Sequence, residues 1–453
     1  MFRKSLMALA IASLTATSAW AAVSADEAKQ LGTTLTPIGA EKAGNKDGTI
    51  PEYTGGIKPP ADFQAGSGFR PDPYANEKPR LVITGKDVAA NADKLTAGTQ
   101  ELLKRYPTMR VDVYPTHRTV AVPQRVIDNT VKNATGVKSI DNGLGVENAL
   151  AGYPFPIPKT GQEAMWNHLL RYNGLGYDGL KYDNWNVDSA GVPTLSTSGD
   201  LWWAWPIYDP KKSGAINATE PYWVAKINYT GPSRRAGEGL MLWDAVNPMK
   251  QPRRAWQYLP GQRRVKLAPD LSYDTPNAGT AGASTWDDLS VFNGAMDRFN
   301  WKLVGKKEMI VPYGNYRLTY HKVAADVTKP NHINPDLVRW ELHRVWVVEA
   351  TLKEGSRHIY SKRVFYIDED SWLAVASDEY DARGQLYRAS YAYPSYSYDV
   401  QAPFGDTTAC YDFNSGLYAV SGLFGPYKGL KYMAELPKES FWSADALAGA
   451  GIR

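Results

Sequence analysis

Apolar and polar positions alternate most regularly over residues 237–269, GEGLMLWDAVNPMKQPRRAWQYLPGQRRVKLAP. Apolar, aromatic and basic residues take turns there, which predicts two or three short strands joined by sharp turns. Further strands are predicted at 80–84, 110–114, 220–230, 240–246, 254–259, 263–267, 301–311 and 316–320, with LPGQRR as a tight hairpin between 254–259 and 263–267. A meander follows over 338–352, 357–367, 372–380 and 385–393. One face of its first strand carries Trp340, Leu342, Trp346, Val348 and Leu352. Consecutive hairpins at this spacing make an antiparallel sheet, not a set of βαβ units.

Helical spacing is confined to a few segments. Val88, Ala92, Leu95, Leu102 and Leu103 predict a helix over 86–106, closed by Pro107, and 123–134 predicts a shorter one. Residues 152–159, GYPFPIPK, form a proline-rich connector that displays Phe155. Thr160 and Glu163 then make a capping box that opens a helix over 160–173 around Trp166. Leu289, Phe292, Met296 and Phe299 give 284–300 roughly helical spacing. Residues 394–453 are rich in aromatics and glycine and carry no assignable period.

Residues 1–21 have the layout of a secretory leader: Arg3 and Lys4, an apolar run over 6–14, and Ala19-Trp20-Ala21 at the cleavage position. The run is too short to span a bilayer, and no cysteine follows it to take a lipid anchor. The expected product is a soluble periplasmic protein cut near Ala21. Residues 22–79, rich in glycine, proline and polar residues, read as an extended arm, leaving 80–453 as one enlarged domain.

The formal net charge of +4 falls to +2 once Arg3 and Lys4 leave, which argues against a nucleic-acid partner. With 28 Tyr, 15 Trp and 11 Phe, the sheet has large aromatic faces to cover. The single cysteine, Cys410, makes no intramolecular disulfide, so the fold relies on its core; it reads as a half-buried, unreactive thiol.

Catalytic signatures are missing: there is no GxSxG, P-loop, GxGxxG or HExxH, and no cofactor is called for. The six histidines include no pair at metal-ligand spacing. A two-residue turn at Glu354-Gly355 would set His358 opposite Thr351 and His343 opposite Tyr366, so those two histidines share no metal. The acidic runs Asp368-Glu369-Asp370 and Asp287-Asp288 read as solvated turns. Arg253, Arg254, Arg263 and Arg264 would cluster across the hairpin beside Trp256, Tyr258 and Leu259. They read either as a cationic rim to an apolar cavity or as a solvated strand face.

Three stretches carry a family resemblance: GYPFPIPKTGQEAMWNHLLRYNG, the 237–269 segment, and STWDDLSVFNGAMDRFNWKL. Together they resemble an uncharacterised family of proteobacterial exported proteins, a domain of unknown function covering nearly all of the mature chain. Within it, AWQYLPGQRRVKLAP and the aromatic strand DRFNWKLVGKKEM are similar to periplasmic lipoprotein-localisation carriers and outer-membrane lipoprotein-sorting proteins, mainly over 222–393. The resemblance implies an α+β, mainly β fold. Its core is a strongly curved antiparallel sheet, an incomplete barrel, with helices covering the concave face and acyl chains held between the two. It also implies inner-membrane transporter and outer-membrane protein partners. This chain is longer than the small carriers by its arm, proline loop and C-terminal region.

The expected function is therefore non-enzymatic: a periplasmic protein that binds or escorts a lipid or other hydrophobic molecule across the envelope. The expected ligand wall is Trp243, Trp256, Tyr258, Leu259, Trp301, Trp340 and Trp346, with Phe155 as lid and Trp166 as plug, and with Arg254 and Arg264 meeting a polar headgroup. The alternatives are a structural partner of an envelope transport complex, or a hydrolase acting on a hydrophobic or glycan substrate.

Overall fold

Thr160 stands at the head of the one helix that the rest of the protein surrounds. In the computed structural model, which describes residues 23–450, its hydroxyl accepts the Glu163 N–H at 3.1 Å and starts the helix Gly161–Leu169. Glu163 turns back to the N–H of Lys159 at 2.5 Å, one residue outside the expected box. Glu163, Ala164, Met165, Trp166, Asn167, His168 and Leu169 are all buried, so this helix lies inside the protein on every side. It ends at Leu169, short of the expected 173.

Around it runs a sheet of fifteen strands. In chain order these are β1 Leu81–Ile83, β2 Val111–Val113, β3 Gly176–Val187, β4 Pro193–Ala204, β5 Pro221–Gly231, β6 Gly239–Ala245, β7 Arg254–Leu259, β8 Arg264–Leu267, β9 Phe299–Pro312, β10 Trp340–Leu352, β11 Lys362–Asp368, β12 Ala374–Tyr380, β13 Leu386–Ala392, β14 Thr408–Asp412 and β15 Tyr418–Leu423. The spatial order is β1-β2-β10-β11-β12-β13-β14-β15-β3-β4-β5-β6-β7-β8, with β9 laid antiparallel on β10. Every pairing is antiparallel except the short parallel contact of β2 with β10. Register shifts recur at Leu303/Gly305, Tyr366/Ile367, Glu379/Tyr380, Asn184/Trp185 and Ser198/Gly199. Each such irregularity bends its strand and adds twist, and their sum curls the sheet without closing it.

The curl gives two separate apolar layers. On the concave side, Trp166, Trp203, Leu240, Phe292, Trp301, Trp340 and Phe365 belong to one core. On the opposite face of β4–β8, Met241, Tyr258, Trp202, Trp243 and Trp256 pack under Met433, Trp442 and Leu447, with Leu447 in the terminal helix Ala444–Ala450.

Several elements differ from the sequence reading. The predicted helix over 86–106 is two pieces, Val88–Asn91 and Ala97–Arg105. The predicted strand over 316–320 is the helical turn Tyr316–Thr319. The segment 284–300 contains no helix: Ser290 and Val291 have positive φ (49° and 72°), and the Asn293 N–H returns to the Asp287 carbonyl at 2.9 Å, folding the chain into turns. It nevertheless fills the concavity, with Phe292 and Met296 buried. The unassigned C-terminal region supplies two inner strands of the sheet and the cover of its second face.

The arm residues 23–79 lie against the domain. Trp372 donates its indole N–H to the Ile38 carbonyl at 2.8 Å, and Arg70 holds Asp399 through two hydrogen bonds of 2.6 and 2.9 Å. Gly39, at φ 98°, passes so close to the proline loop that a Cβ there would sit 1.9 Å from the Pro156 carbonyl oxygen. Residues 1–21, the expected leader, lie outside the described residues.

Candidate functional site

An apolar cavity opens where the central helix meets the ends of β5 and β6. It has a volume of about 230 Å³ and is lined by Trp166, Leu169, Tyr222, Ala245, Pro248, Tyr273 and Ala295, among others. One wall is charged. Arg253, half-buried just before β7, grips Asp244 through two hydrogen bonds of 2.6 and 2.7 Å and reaches the Asn293 carbonyl at 2.8 Å. Burial works against the Arg253 charge, but Asp244 outweighs it and the guanidinium pKa is raised. Trp166 is fixed by its indole N–H to the Gly143 carbonyl at 2.9 Å, and Trp301 by its own to Met296 at 2.8 Å. The result is an apolar, preformed pocket with one neutralised ion pair in its wall.

A second, smaller cavity of about 110 Å³ lies deeper in the concavity, between β3–β5, β13–β15 and the turns of 277–291. Leu201, Trp203, Tyr229 and Trp286 line it together with the carboxyl groups of Asp288 and Asp406. Asp406 is already occupied by the Tyr177 hydroxyl at 2.7 Å and the Ser290 hydroxyl at 2.5 Å.

Of the residues expected to form a ligand wall, Trp166 borders the cavity beside the central helix and none borders the second. Trp301, Trp340 and Trp346 are set in the concave core: Trp301 stacks on Phe365, Trp346 on Trp372, and Trp340 meets the edge of Tyr391. Phe155 is buried with them, its N–H and carbonyl both bonded to the Asn167 side chain at 2.9 and 2.7 Å, so the proline loop is clamped down. Trp243, Trp256 and Tyr258 are on the other face, under the C-terminal cover.

The two arginines are separated as well. Arg254 lies opposite Trp243, whereas Arg264 lies opposite Leu259. Successive residues of a strand point to opposite faces, and paired residues share one. Arg254 therefore sides with Trp256 and Tyr258, Arg264 with Leu259 on the reverse, and both are exposed. No single cationic rim forms. The cation at the cavity is their neighbour Arg253, which the alternation of the strand set aside.

The acidic runs are not solvated turns. Asp287 and Asp288 are buried against Arg363, at 3.1 and 2.7 Å, and Asp287 also meets His358 at 3.1 Å. Burial would raise the Asp287 pKa, but Arg363 and His358 hold it below the usual carboxylate range. Asp368, Glu369 and Asp370 are likewise buried. Cys410 is buried rather than half-buried, and burial pushes its thiol pKa up, away from reactivity.

The β10–β11 hairpin also departs from expectation. Thr351 pairs with Lys362 and Val347 with Tyr366, a shift of four residues from a turn at Glu354-Gly355. The cause lies outside the hairpin: Asp287 takes His358 and Asp288 takes the Tyr360 hydroxyl, drawing 357–360 off the ladder. The shift brings Asp368 opposite Val345 and so beside His343.

No helix among the described residues is long and apolar enough to cross a membrane. Residues 82–448 match the family described as protein of unknown function DUF1329. The uncharacterised protein PA3922 of Pseudomonas aeruginosa is 42% identical over 452 residues, covering 97% of each chain. Among solved structures, a DUF1329 family protein from Desulfovibrio piger is similar at a TM-score of 0.40 and 14% identity, over 61% of this chain and 92% of the other. The LolA superfamily protein NE2245 from Nitrosomonas europaea is similar at 0.38 and 12%, over 64% and 100%. With the match spanning nearly all of the folded chain, this protein belongs to the DUF1329 family.

Proposed function

We propose that this protein binds a lipid or other hydrophobic molecule in the concavity of its sheet and escorts it through the periplasm between envelope membranes, in company with membrane transport components. The observation that carries the reading is the cavity beside Trp166, about 230 Å³ and walled largely by apolar and aromatic groups. An apolar cavity of about 150 Å³ suffices to take a benzene-sized guest. The ion pair of Arg253 and Asp244 in its wall suits a cargo with a polar end beside an apolar body. The leader-like residues 1–21 support export, and a protein confined to an aqueous compartment gains by shielding an apolar cargo from water.

The test is native mass spectrometry with solvent extraction on the protein purified from its own periplasm. A discrete lipid-sized mass, released on denaturation, is expected. A cargo-free mass, together with no binding of added fluorescent lipid, would overturn the reading in favour of a protein partner.

A further inference from the structure

Buried where β10 and the end of β11 meet Arg118 is an ion-pair network in which one position lacks a counter-charge. It surrounds His343 of β10, Asp368 at the end of β11, and Asp370. One ligand atom from each of these three lies within 4.8 Å of the others, and all three residues are buried. His343 Nε2 is 3.0 Å from Glu341 Oε2, and Nδ1 is 3.8 Å from Asp368 Oδ1, too long for a hydrogen bond. Asp368 Oδ2 accepts from the Ser371 N–H at 3.0 Å and its hydroxyl at 2.6 Å, but Oδ1 has no partner although the residue is fully buried. The Tyr313 hydroxyl is also buried without a partner, and its ring stacks on His343 at 3.8 Å. Asp370 is held by Arg118 at 2.7 and 2.9 Å, with a lone pair still available on each oxygen.

From these contacts we infer that His343 Nδ1, Asp368 Oδ1 and Asp370 bind a first-row divalent metal ion of the zinc or manganese class. A carboxylate that takes the Nε2–H of a histidine and leaves Nδ1 as the free lone pair is the usual outer partner of a metal-bound imidazole, and Glu341 stands in that position. Two ligands about 2.1 Å from one ion lie about 3–4 Å apart, which matches the Nδ1 to Oδ1 separation. One nitrogen with carboxylate oxygens suits zinc or manganese, whereas calcium takes six to eight oxygens.

Charge points the same way. The connected network holds the carboxylates Glu41, Glu77, Glu341, Asp368, Glu369 and Asp370 against the cations Arg118, Arg339, Arg344 and Lys306. With His117, which pairs with Glu77, and His343 both neutral, six carboxylates face four cations, an excess of negative charge that a divalent ion offsets. The competing arrangement is a proton in place of the metal, carried by His343 as an imidazolium or kept on the buried Asp368 carboxyl, whose pKa burial pushes up.

The test uses the full mature protein expressed in medium supplemented with zinc or with manganese, followed by elemental analysis and by titration of the chelator-treated protein with Zn²⁺, Mn²⁺ and Co²⁺. About one equivalent of one ion is expected, with visible Co²⁺ bands that Zn²⁺ displaces. Asp368→Asn is expected to abolish binding, and Glu341→Gln to weaken it about 10–100-fold. Which ion is retained separates zinc from manganese. Absence of any stoichiometric ion and of Co²⁺ bands in the wild type overturns the site and leaves the proton, and so does binding unchanged in Asp368→Asn. The wild-type arms decide the matter even where a variant fails to fold.

Discussion

His168 joins the central helix to β12: its Nδ1 accepts the Ala374 N–H at 3.0 Å, while Nε2 lies 2.9 Å from the Phe292 carbonyl and donates to it. One neutral imidazole thus ties together the helix, the sheet and the turns of 284–300. Burial lowers its pKa well below the usual value, and the nearby Arg171 charge adds to this. The unfolded chain takes up a proton at His168 near pH ~6.5, whereas the folded chain resists it. The contribution is therefore complete above that pH and lost as pH falls below it. Urea unfolding of the wild type is expected to lose about 1 kcal/mol from this group between pH 7.5 and 5.5, and His168→Gln to lose less over that interval. His168→Ala, which strands two buried backbone groups, is expected to cost about 2–5 kcal/mol at neutral pH.

Glu379 of β12 has the opposite sign. Its side chain is buried; Oε1 accepts from the Ser377 hydroxyl and Oε2 has no partner. Burial, with the Asp288 charge behind it, pushes its pKa up to about 8. The folded state holds this proton while the unfolded state releases it near pH ~4.3, so stability falls as pH rises between those two values. Glu379→Gln mimics the protonated acid. It is expected to match the wild type at pH 4.5 and to exceed it by about 1–3 kcal/mol at pH 8, measured by denaturant unfolding at both pH values.

The general architecture was legible because hairpins leave strong local marks: 254–259 was found to the residue, 301–311 falls within the strand Phe299–Pro312, and the capped helix at Thr160 was found with Trp166 on it. What stayed hidden was set by partners distant in sequence. The hairpin β3–β4 received no assignment, since GYDGLKYDNWNV mixes Asp, Asn, Lys and Gly with its aromatics, and only the neighbouring strands make it a ladder. The turns of 284–300 imitate helical spacing, but buried carboxylates at Asp287 and Asp288, fixed by Arg363, dictate their path. Those same two aspartates reset the β10–β11 register, which is why His343 was placed opposite Tyr366 rather than beside Asp368. Which face of a strand meets the cavity depends on the whole sheet, so Arg253 was passed over for Arg254.

Ala295 offers a direct probe of the cavity, because it lines the space beside Trp166 and is only partly buried. Ala295→Leu adds apolar volume to the cavity without removing a hydrogen-bonding side chain. Stability is expected to change by less than about 1 kcal/mol, while binding of a fluorescent fatty acid or phospholipid weakens at least about tenfold. Equal affinity in the variant and the wild type would place the cargo elsewhere.

Leu447 closes the second apolar face in a way that makes the C-terminal helix a removable cover. Its side chain is fully buried, and a Cβ added at Gly239 of β6 would meet its Cδ1 at 2.7 Å, so helix and strand touch with no room to spare. Lys226 secures the same cover from below, with its ammonium 4.1 Å from the Phe441 ring centre and within 3.3–3.4 Å of the Ala446 and Phe441 carbonyls. Beneath lie Trp202, Met241, Trp243, Trp256 and Tyr258. A helix of seven residues has too little internal hydrogen bonding to persist alone, so its structure depends on this docking. Leu447→Asp places a carboxylate against apolar side chains, the one nearby cation, Lys226, being engaged with the Phe441 ring and the Phe441 and Ala446 carbonyls, and the helix is expected to leave the sheet rather than bury that charge. The concave core has its own separate packing and should survive. The expected outcome is new proteolytic cleavage near residues 437–443, increased binding of a hydrophobic dye at the uncovered tryptophans, and a main unfolding transition lowered by no more than about 2 kcal/mol. Loss of the whole cooperative transition would instead make the cover part of the folding core.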